Sequence, residues 1–203
     1  MVGNQELVEY LQGIGVLKTP EIIDAFLKID RIDFVPKQYK DLAYADHPLD
    51  IGFGQTISQP YTIAFMLELL KPKSGQNILE IGTGSGYVVA LLAKVAGERG
   101  DVIGTERIGD LVELSKNNLE KYRLRNTQIV QAQKDFGVPG KKFDRILVSA
   151  AADNLPQELL GQLDENGKLV IPVGSSIFLF ERMSKGKIGS KEYPGFVFVP
   201  LIK

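Results

Sequence analysis

The 203 residues contain no cysteine and only one histidine, His47. That composition excludes disulfides, thiolate nucleophiles and cysteine- or histidine-rich metal sites, and no metal is expected. Neither sign of charge is in excess: 24 Lys and Arg stand against 25 Asp and Glu, for a formal net charge of −1. Without a basic surplus to follow a phosphate backbone, a nucleic-acid partner is not expected, although a local patch is still possible. No apolar run approaches the roughly 18–20 residues of a membrane span. Met1–Glu9 carries acids where a secretion leader would be basic and then apolar. A cytoplasmic protein with no membrane partner is therefore expected. With 44% hydrophobic and 24% charged residues the chain can build one substantial core, so residues 1–203 are read as one domain.

The stretch that organises the chain is Asn77–Tyr87, N-I-L-E-I-G-T-G-S-G-Y. A short apolar run, Ile78–Ile81, meets glycines at 82, 84 and 86, and Val88–Ala96 then reads as helix, so the pattern is strand, glycine turn, helix. Glycines serve where the chain turns with positive φ and where a ligand approaches the backbone. The first amides of the helix are expected to face that ligand. A dinucleotide fingerprint requires G-x-G-x-x-G, but the third glycine position holds Tyr87 or Val89, and no P-loop Lys-Ser/Thr pair is present. The remaining pattern, E-x-G-x-G-x-G with Glu80 as its acid, suits a ligand with a cationic or amino end and no phosphates. S-adenosylmethionine fits that description.

Residues 1–75 form a helical preface and a loop, and 76–203 the α/β core. Leu7, Leu11 and Ile14 share one helical face; Thr19-Pro20-Glu21 starts a second helix, with Thr19 as N-cap. The stretch from Leu42 is broken by Pro48, Gly52 and Gly54 and reads as a loop too polar for core, a candidate substrate wall ahead of a helix that begins at Pro60. Strands are expected at Asp101–Thr105, Thr127–Gln131, Phe143–Ser149 and Lys168–Val173, the last after an Asn166-Gly167 turn, with helices at Asp110–Leu124 and Pro156–Leu163. Ile177–Met183 and Gly195–Ile202 read as a closing hairpin. Alternating βα units ending in an antiparallel pair imply an α/β fold: a doubly wound, mostly parallel seven-stranded sheet with an antiparallel edge hairpin and an N-terminal helical extension. Glu106, 24 residues after Gly82, stands where an acid at the end of the second strand would accept from ribose hydroxyls.

The blocks A-Y-A-D-H-P-L-D-I-G-F-G-Q-T-I-S-Q-P, L-E-I-G-T-G-S-G-Y, F-D-R-I-L-V-S-A-A-A, K-L-V-I-P-V-G and F-V-P-L, in that order from about Arg31 to Leu201, resemble the protein-L-isoaspartate (D-aspartate) O-methyltransferases, Rossmann-like class I methyltransferases. G-Q-T-I-S-Q-P is the specific part. The resemblance implies methyl transfer from S-adenosylmethionine, leaving S-adenosylhomocysteine, to the α-carboxylate of an isoaspartyl residue in a damaged protein. The ester then closes to a succinimide whose hydrolysis returns some aspartate. The residues present suit that chemistry. A carboxylate is already ionised and nucleophilic at neutral pH, so no strong base, metal or covalent intermediate is required.

Carried over by position, Ser58 would orient the substrate carboxylate, within a substrate segment Gln55, Thr56, Ile57, Ser58. An alternative for Ser58 is a polar residue at the helix start. Glu80, Gly82, Thr83, Gly84 and Gly86 would hold the methionine part of the cofactor, Glu106 the ribose, and Asp135 the adenine amino group. Several positions depart from the family pattern. Lys134 and Phe136 flank Asp135 where glycines are usual, and Phe53, Asp50 and Val197 together would reshape the peptide groove. His47 reads as an incidental loop residue. The competing readings are a carboxyl methyltransferase for a dedicated peptide or small acid, an RNA methyltransferase, and a cofactor-binding module that is not an enzyme. A monomer is expected.

Overall fold

The computed structural model describes residues 3–202; Met1, Val2 and Lys203, at the ends of the expected domain, lie outside them. Helices α1 (Asn4–Gly13) and α2 (Pro20–Lys28) bury Leu7, Leu11, Ile22 and Phe26 in the main core. Thr19 does not cap α2. Its hydroxyl donates to Glu68 Oε2 at 2.7 Å, and Glu68 Oε1 accepts the Lys18 and Thr19 amides at 2.8 and 2.7 Å, so a tertiary carboxylate replaces the local cap. Two 3₁₀ turns, Arg31–Phe34 and Lys37–Leu42, lead into the segment expected to be an irregular loop. It is instead a two-stranded antiparallel hairpin, β1 (Leu49–Gly52) and β2 (Gln55–Ile57), turned through Phe53 and Gly54 and followed by α3 (Pro60–Leu70). Its polar residues hid the alternation: Leu49, Ile51 and Ile57 point into the core while Asp50 and Thr56 point out.

The core follows in order as β3 (Asn77–Ile81), α4 (Tyr87–Ala96), β4 (Asp101–Glu106), α5 (Gly109–Glu120), β5 (Thr127–Gln131), β6 (Phe143–Val148), α6 (Gln157–Gln162), β7 (Leu163–Val173), β8 (Ser176–Arg182) and β9 (Ile188–Pro194). One seven-stranded sheet results, in the order β5-β4-β3-β6-β7-β8-β9, with the first five parallel and β8 antiparallel to both neighbours. The expected doubly wound, mostly parallel sheet is present. Successive residues serve opposite faces: Ile78, Val102, Leu147 and Val170 join the core under α1–α4, while Leu79, Ile103, Ile146 and Leu169 pack with Leu159 of α6. The chain runs outward from β3 to β5 and then returns to place β6 on the other side of β3. That reversal opens a crevice at the carboxyl ends of β3 and β6.

The helix expected over Asp110–Leu124 stops at Glu120, and two strand boundaries differ from the sequence expectation. β7 begins at Leu163, so Asn166 (φ 59°) and Gly167 lie within the strand, where its register with β6 shifts. The hairpin partner of β8 is the polar Ile188–Pro194 and not Gly195–Ile202. An edge strand needs no apolar face for its ladder. The apolar F-V-F-V-P-L instead crosses the carboxyl end of the sheet, held by Ala151 N–H to Val199 O at 2.8 Å and Leu201 N–H to Ala151 O at 2.7 Å.

Gly104, inside β4, shows how tightly the ligand turn is seated. A Cβ there would lie 2.5 Å from Thr83 Oγ1, 2.8 Å from Val89 Cγ2 and 2.9 Å from Ile129 Cδ1. Gly104→Ala is expected to cost about 2–3 kcal/mol through overpacking. Urea unfolding would read this, and an unchanged midpoint would refute it.

Candidate active site

At the carboxyl ends of β3, β4 and β6 two clefts adjoin, sharing Gln55, Gly82, Glu106 and Ala150. The glycine turn between β3 and α4 forms their common wall, with Gly82, Gly84 and Gly86 at φ 83°, 54° and 89°. The turn's own amides are bonded to β4. Thr105 O accepts from Gly82 N–H (2.9 Å), Thr83 N–H (3.2 Å) and Thr83 Oγ1 (3.3 Å), and Glu106 Oε2 accepts from Gly84 N–H at 2.9 Å. Gly86 reaches neither cleft. It backs onto α5, where a Cβ would meet Ser115 at 3.2 Å, so its role is packing. The Tyr87 ring, at the start of α4, is set between Phe34 (centroids 5.2 Å apart) and the fully buried Arg31 guanidinium, 5.6 Å from its centroid. Burial lowers Arg31 to about 10, still charged at neutral pH.

What the turn presents to the second cleft is a carboxyl group. Glu80 is 1% exposed; Ser149 Oγ donates to its Oε1 at 2.8 Å, while its Oε2 is buried without a hydrogen-bond partner. Burial is the dominant influence and pushes this carboxyl well above the usual range. The Ser149 bond and the Val89 amide oppose that shift, and nearby Glu106 reinforces it. A buried acceptor lacking its donor suits a ligand that brings an ammonium group. Ser149 was missed in the sequence because it lies 69 residues from Glu80; pairing of Ile81 with Val148 places it at the neighbouring strand end.

Glu106, 6% exposed, lies in the lining of both clefts. Its Oε1 accepts the Ile108 amide at 3.0 Å, and each oxygen keeps a lone pair for a further donor such as a ribose hydroxyl. Asp135 sits exposed at the rim of the first cleft, beside Ala132, Phe136 and Ile202. The Lys134-Asp135-Phe136 departure is accommodated by Gly137 (φ 79°) one position later. The loop is pinned by Gln162, which accepts the Val138 amide and donates to Phe136 O, both at 2.8 Å. Acids at three points, an apolar wall and an orphaned acceptor fit S-adenosylmethionine.

Gln55, Thr56, Ile57 and Ser58 all line the second cleft, with Gln55 also reaching the first. The Ser58 hydroxyl makes no hydrogen bond within the described residues and does not cap α3. That task falls to Asp46, whose Oδ1 accepts the Tyr61 amide at 2.8 Å and whose Oδ2 accepts from Gln59 Nε2 at 3.2 Å. His47, beside it, is exposed. Among the described residues no group of three or more His, Asp or Glu could hold a metal ion, and no helix is long and apolar enough to cross a membrane.

Comparison with known proteins agrees with this geometry. The profile of the protein-L-isoaspartate (D-aspartate) O-methyltransferase family matches residues 2–203. A protein-L-isoaspartate O-methyltransferase of Methanopyrus kandleri is 42% identical over 98% of this chain and 90% of its own length, and one of Pyrococcus horikoshii is 43% identical over 96% and 90%. A Plasmodium falciparum structure of this enzyme class, in complex with S-adenosyl-L-homocysteine, superposes with a TM-score of 0.86 at 29% identity, covering 98% of both chains. The chain belongs to the protein-L-isoaspartate (D-aspartate) O-methyltransferase family.

Proposed function

We propose that this protein transfers the methyl group of S-adenosylmethionine to the α-carboxylate of L-isoaspartyl residues in damaged proteins. The carrying observation is the cleft with an orphaned buried acceptor, Glu80 Oε2, on one wall and the free Ser58 hydroxyl on another. Bound S-adenosylmethionine supplies a methyl group on a sulfonium, so an ionised carboxylate displaces a neutral thioether with no proton to move. The chain's own task is then alignment and exclusion of water. Glu80 holds the ammonium end of the cofactor, Gly82, Thr83 and Gly84 shape its wall, and Glu106 accepts from the ribose. Asp135 meets the adenine amino group at the rim. Ser58 donates to the substrate carboxylate and sets which oxygen faces the methyl group, with Gln55, Thr56 and Ile57 forming the strand behind it. The lining of the second cleft carries Glu80 and Glu106 and no lysine, arginine or histidine, an arrangement suited to a cationic cofactor.

The balanced charge and the absence of a membrane-spanning helix among the described residues support action in the cytoplasm without nucleic acid or membrane. Every residue assigned above belongs to one chain, which supports a monomer.

The test is methyl transfer from labelled S-adenosylmethionine to two synthetic peptides that differ only in isoaspartate versus aspartate at one position. Base-labile label on the isoaspartyl peptide alone is expected. Labelling of neither, despite cofactor binding, would move the substrate to a dedicated peptide or a small acid.

A further inference from the structure

The segment R-I-D-F-V-P, Arg31–Pro36, carries none of the groups assigned to cofactor or substrate, yet its arginine is wholly buried. The Arg31 guanidinium makes a single hydrogen bond, from Nε to Ala43 O at 3.0 Å. Both amino nitrogens, Nη1 and Nη2, are buried without a partner, and Arg31 forms no ion pair among the described residues. A buried charge lacking a counterion works against stability. What sets Arg31 apart is where its contacts lead. On one side it sits 5.6 Å from the centroid of the Tyr87 ring, which Phe34 of the same segment flanks at 5.2 Å. Tyr87 opens α4 directly after the glycine turn and lines the second cleft. On the other side Ala43 O belongs to the stretch that reaches Asp46, the carboxylate that supports the Arg31 charge. Asp46 accepts from the Tyr61 amide and from Gln59 Nε2, and so fixes the start of α3 beside Ser58. A guanidinium can donate from its edge while its face rests on an aromatic ring. One planar cation thus joins the wall that meets the cofactor to the strut behind Ser58.

Resting on the isoaspartyl reading, we propose that Arg31 is a positioning residue for methyl transfer. It fixes the separation between the glycine-turn wall, which it reaches through Tyr87, and Ser58, which it reaches through Ala43 and Asp46. In-line displacement needs the carboxylate oxygen, the methyl carbon and the sulfonium in one line, and a misplacement of about 1 Å is enough to cost roughly 10²-fold in rate. Arg31 itself lines neither cleft. Its loss therefore slows the chemical step and leaves both ligands bound.

The experiment uses the full chain and compares Arg31→Met and Arg31→Lys with wild type in single-turnover methyl transfer from labelled S-adenosylmethionine to an isoaspartyl peptide. Arg31→Met is expected to lower the rate at saturation of both ligands about tenfold to a hundredfold, while affinity for S-adenosylhomocysteine and the peptide KM change less than about threefold. Arg31→Lys keeps the charge and a donor for Ala43 O, and should recover part of that rate. Tyr87→Leu should slow the reaction by the same route, so the double variant with Arg31→Met should lose less than the product of the two single losses. Amide exchange in the free protein gives a readout that needs no substrate. Arg31→Met should speed it at Tyr61, whose amide is held by Asp46, and in the first turn of α4. An unchanged saturating rate, unchanged exchange at both places, or multiplicative losses with Tyr87→Leu would overturn the proposal. So would rate, cofactor affinity and peptide binding failing together with no recovery in Arg31→Lys. Should Arg31→Met not fold, Arg31→Lys is read against the same outcomes. If wild type leaves the isoaspartyl peptide unmethylated while Arg31→Met still speeds exchange at both places, the substrate reading falls and the role of Arg31 between the two walls stands.

Discussion

Glu80→Gln should weaken S-adenosylmethionine binding about 30- to 100-fold and, in the same protein, raise the thermal midpoint of the free form. Both effects come from one carboxyl group. Burial raises the Glu80 carboxyl well above its ordinary 4.5, so the folded state holds a proton that the unfolded state has released. Stability then falls as pH rises from about 4.5 toward the folded value, because the unfolded chain binds fewer protons over that window. Glutamine is neutral throughout, keeps an oxygen for Ser149 Oγ, and removes that slope. Each kcal/mol regained raises the midpoint by about 2–4 °C for a chain of this size. The loss in binding follows from replacing an anionic partner of the cofactor's ammonium by a neutral one, since a hydrogen bond to a charged group contributes roughly 1.5–3 kcal/mol. A cation arriving at Oε2 would also lower the Glu80 pKa. Calorimetric titration in buffers of different ionisation heat, repeated as pH is raised from about 4.5, should therefore show a window of proton release by wild type that the variant lacks. A variant that binds the cofactor as tightly as wild type, or melts lower, would contradict this account of Glu80.

The second large effect is expected at Ser58. Ser58→Ala should lower kcat about tenfold to a hundredfold, by removing one hydrogen bond to a charged nucleophile, while changing cofactor affinity less than about twofold. The structure separates the two quantities. Ser58 lines the second cleft without bonding the glycine turn, its hydroxyl makes no hydrogen bond within the described residues, and α3 is capped by Asp46 rather than by it. Single-turnover methyl transfer to an isoaspartyl peptide, with cofactor affinity measured in parallel, tests the claim. Parallel loss of both would show that Ser58 holds the fold of the cleft instead of the substrate.

Much of this site can be read from neighbouring residues. Glu80, Gly82 and Gly84 lie within five positions of one another, and a strand running into residues with positive φ has few alternatives. Glu106 was legible because the length of one βα unit fixes where the next strand ends. The same local reasoning assigned Gly86 to the ligand, whereas its contact is with Ser115 of α5, 29 positions on, which no spacing rule reports. Thr19 resembled a cap, yet its hydroxyl bonds Glu68, 49 positions away. At the edge of the sheet the hydrophobic pattern misled. I-G-S-K-E-Y-P forms β9 because β8 supplies its ladder, and F-V-F-V-P-L, which alternates more like a strand, is drawn across the clefts by Ala151.

Short-range chemistry in the sequence by itself determined the parallel part of the sheet, the strand, glycine turn and helix with an acid ahead of the turn, and the family that carries them. Those features depend on backbone conformation and on the period of apolar residues, which neighbours in the chain dictate. Only the tertiary structure decided that Ser149 bonds Glu80, that Asp46 frees Ser58, and that Arg31 joins Ala43 to Tyr87. Each of these arises where residues far apart in sequence are brought within a few ångströms, a proximity set by strand order and packing.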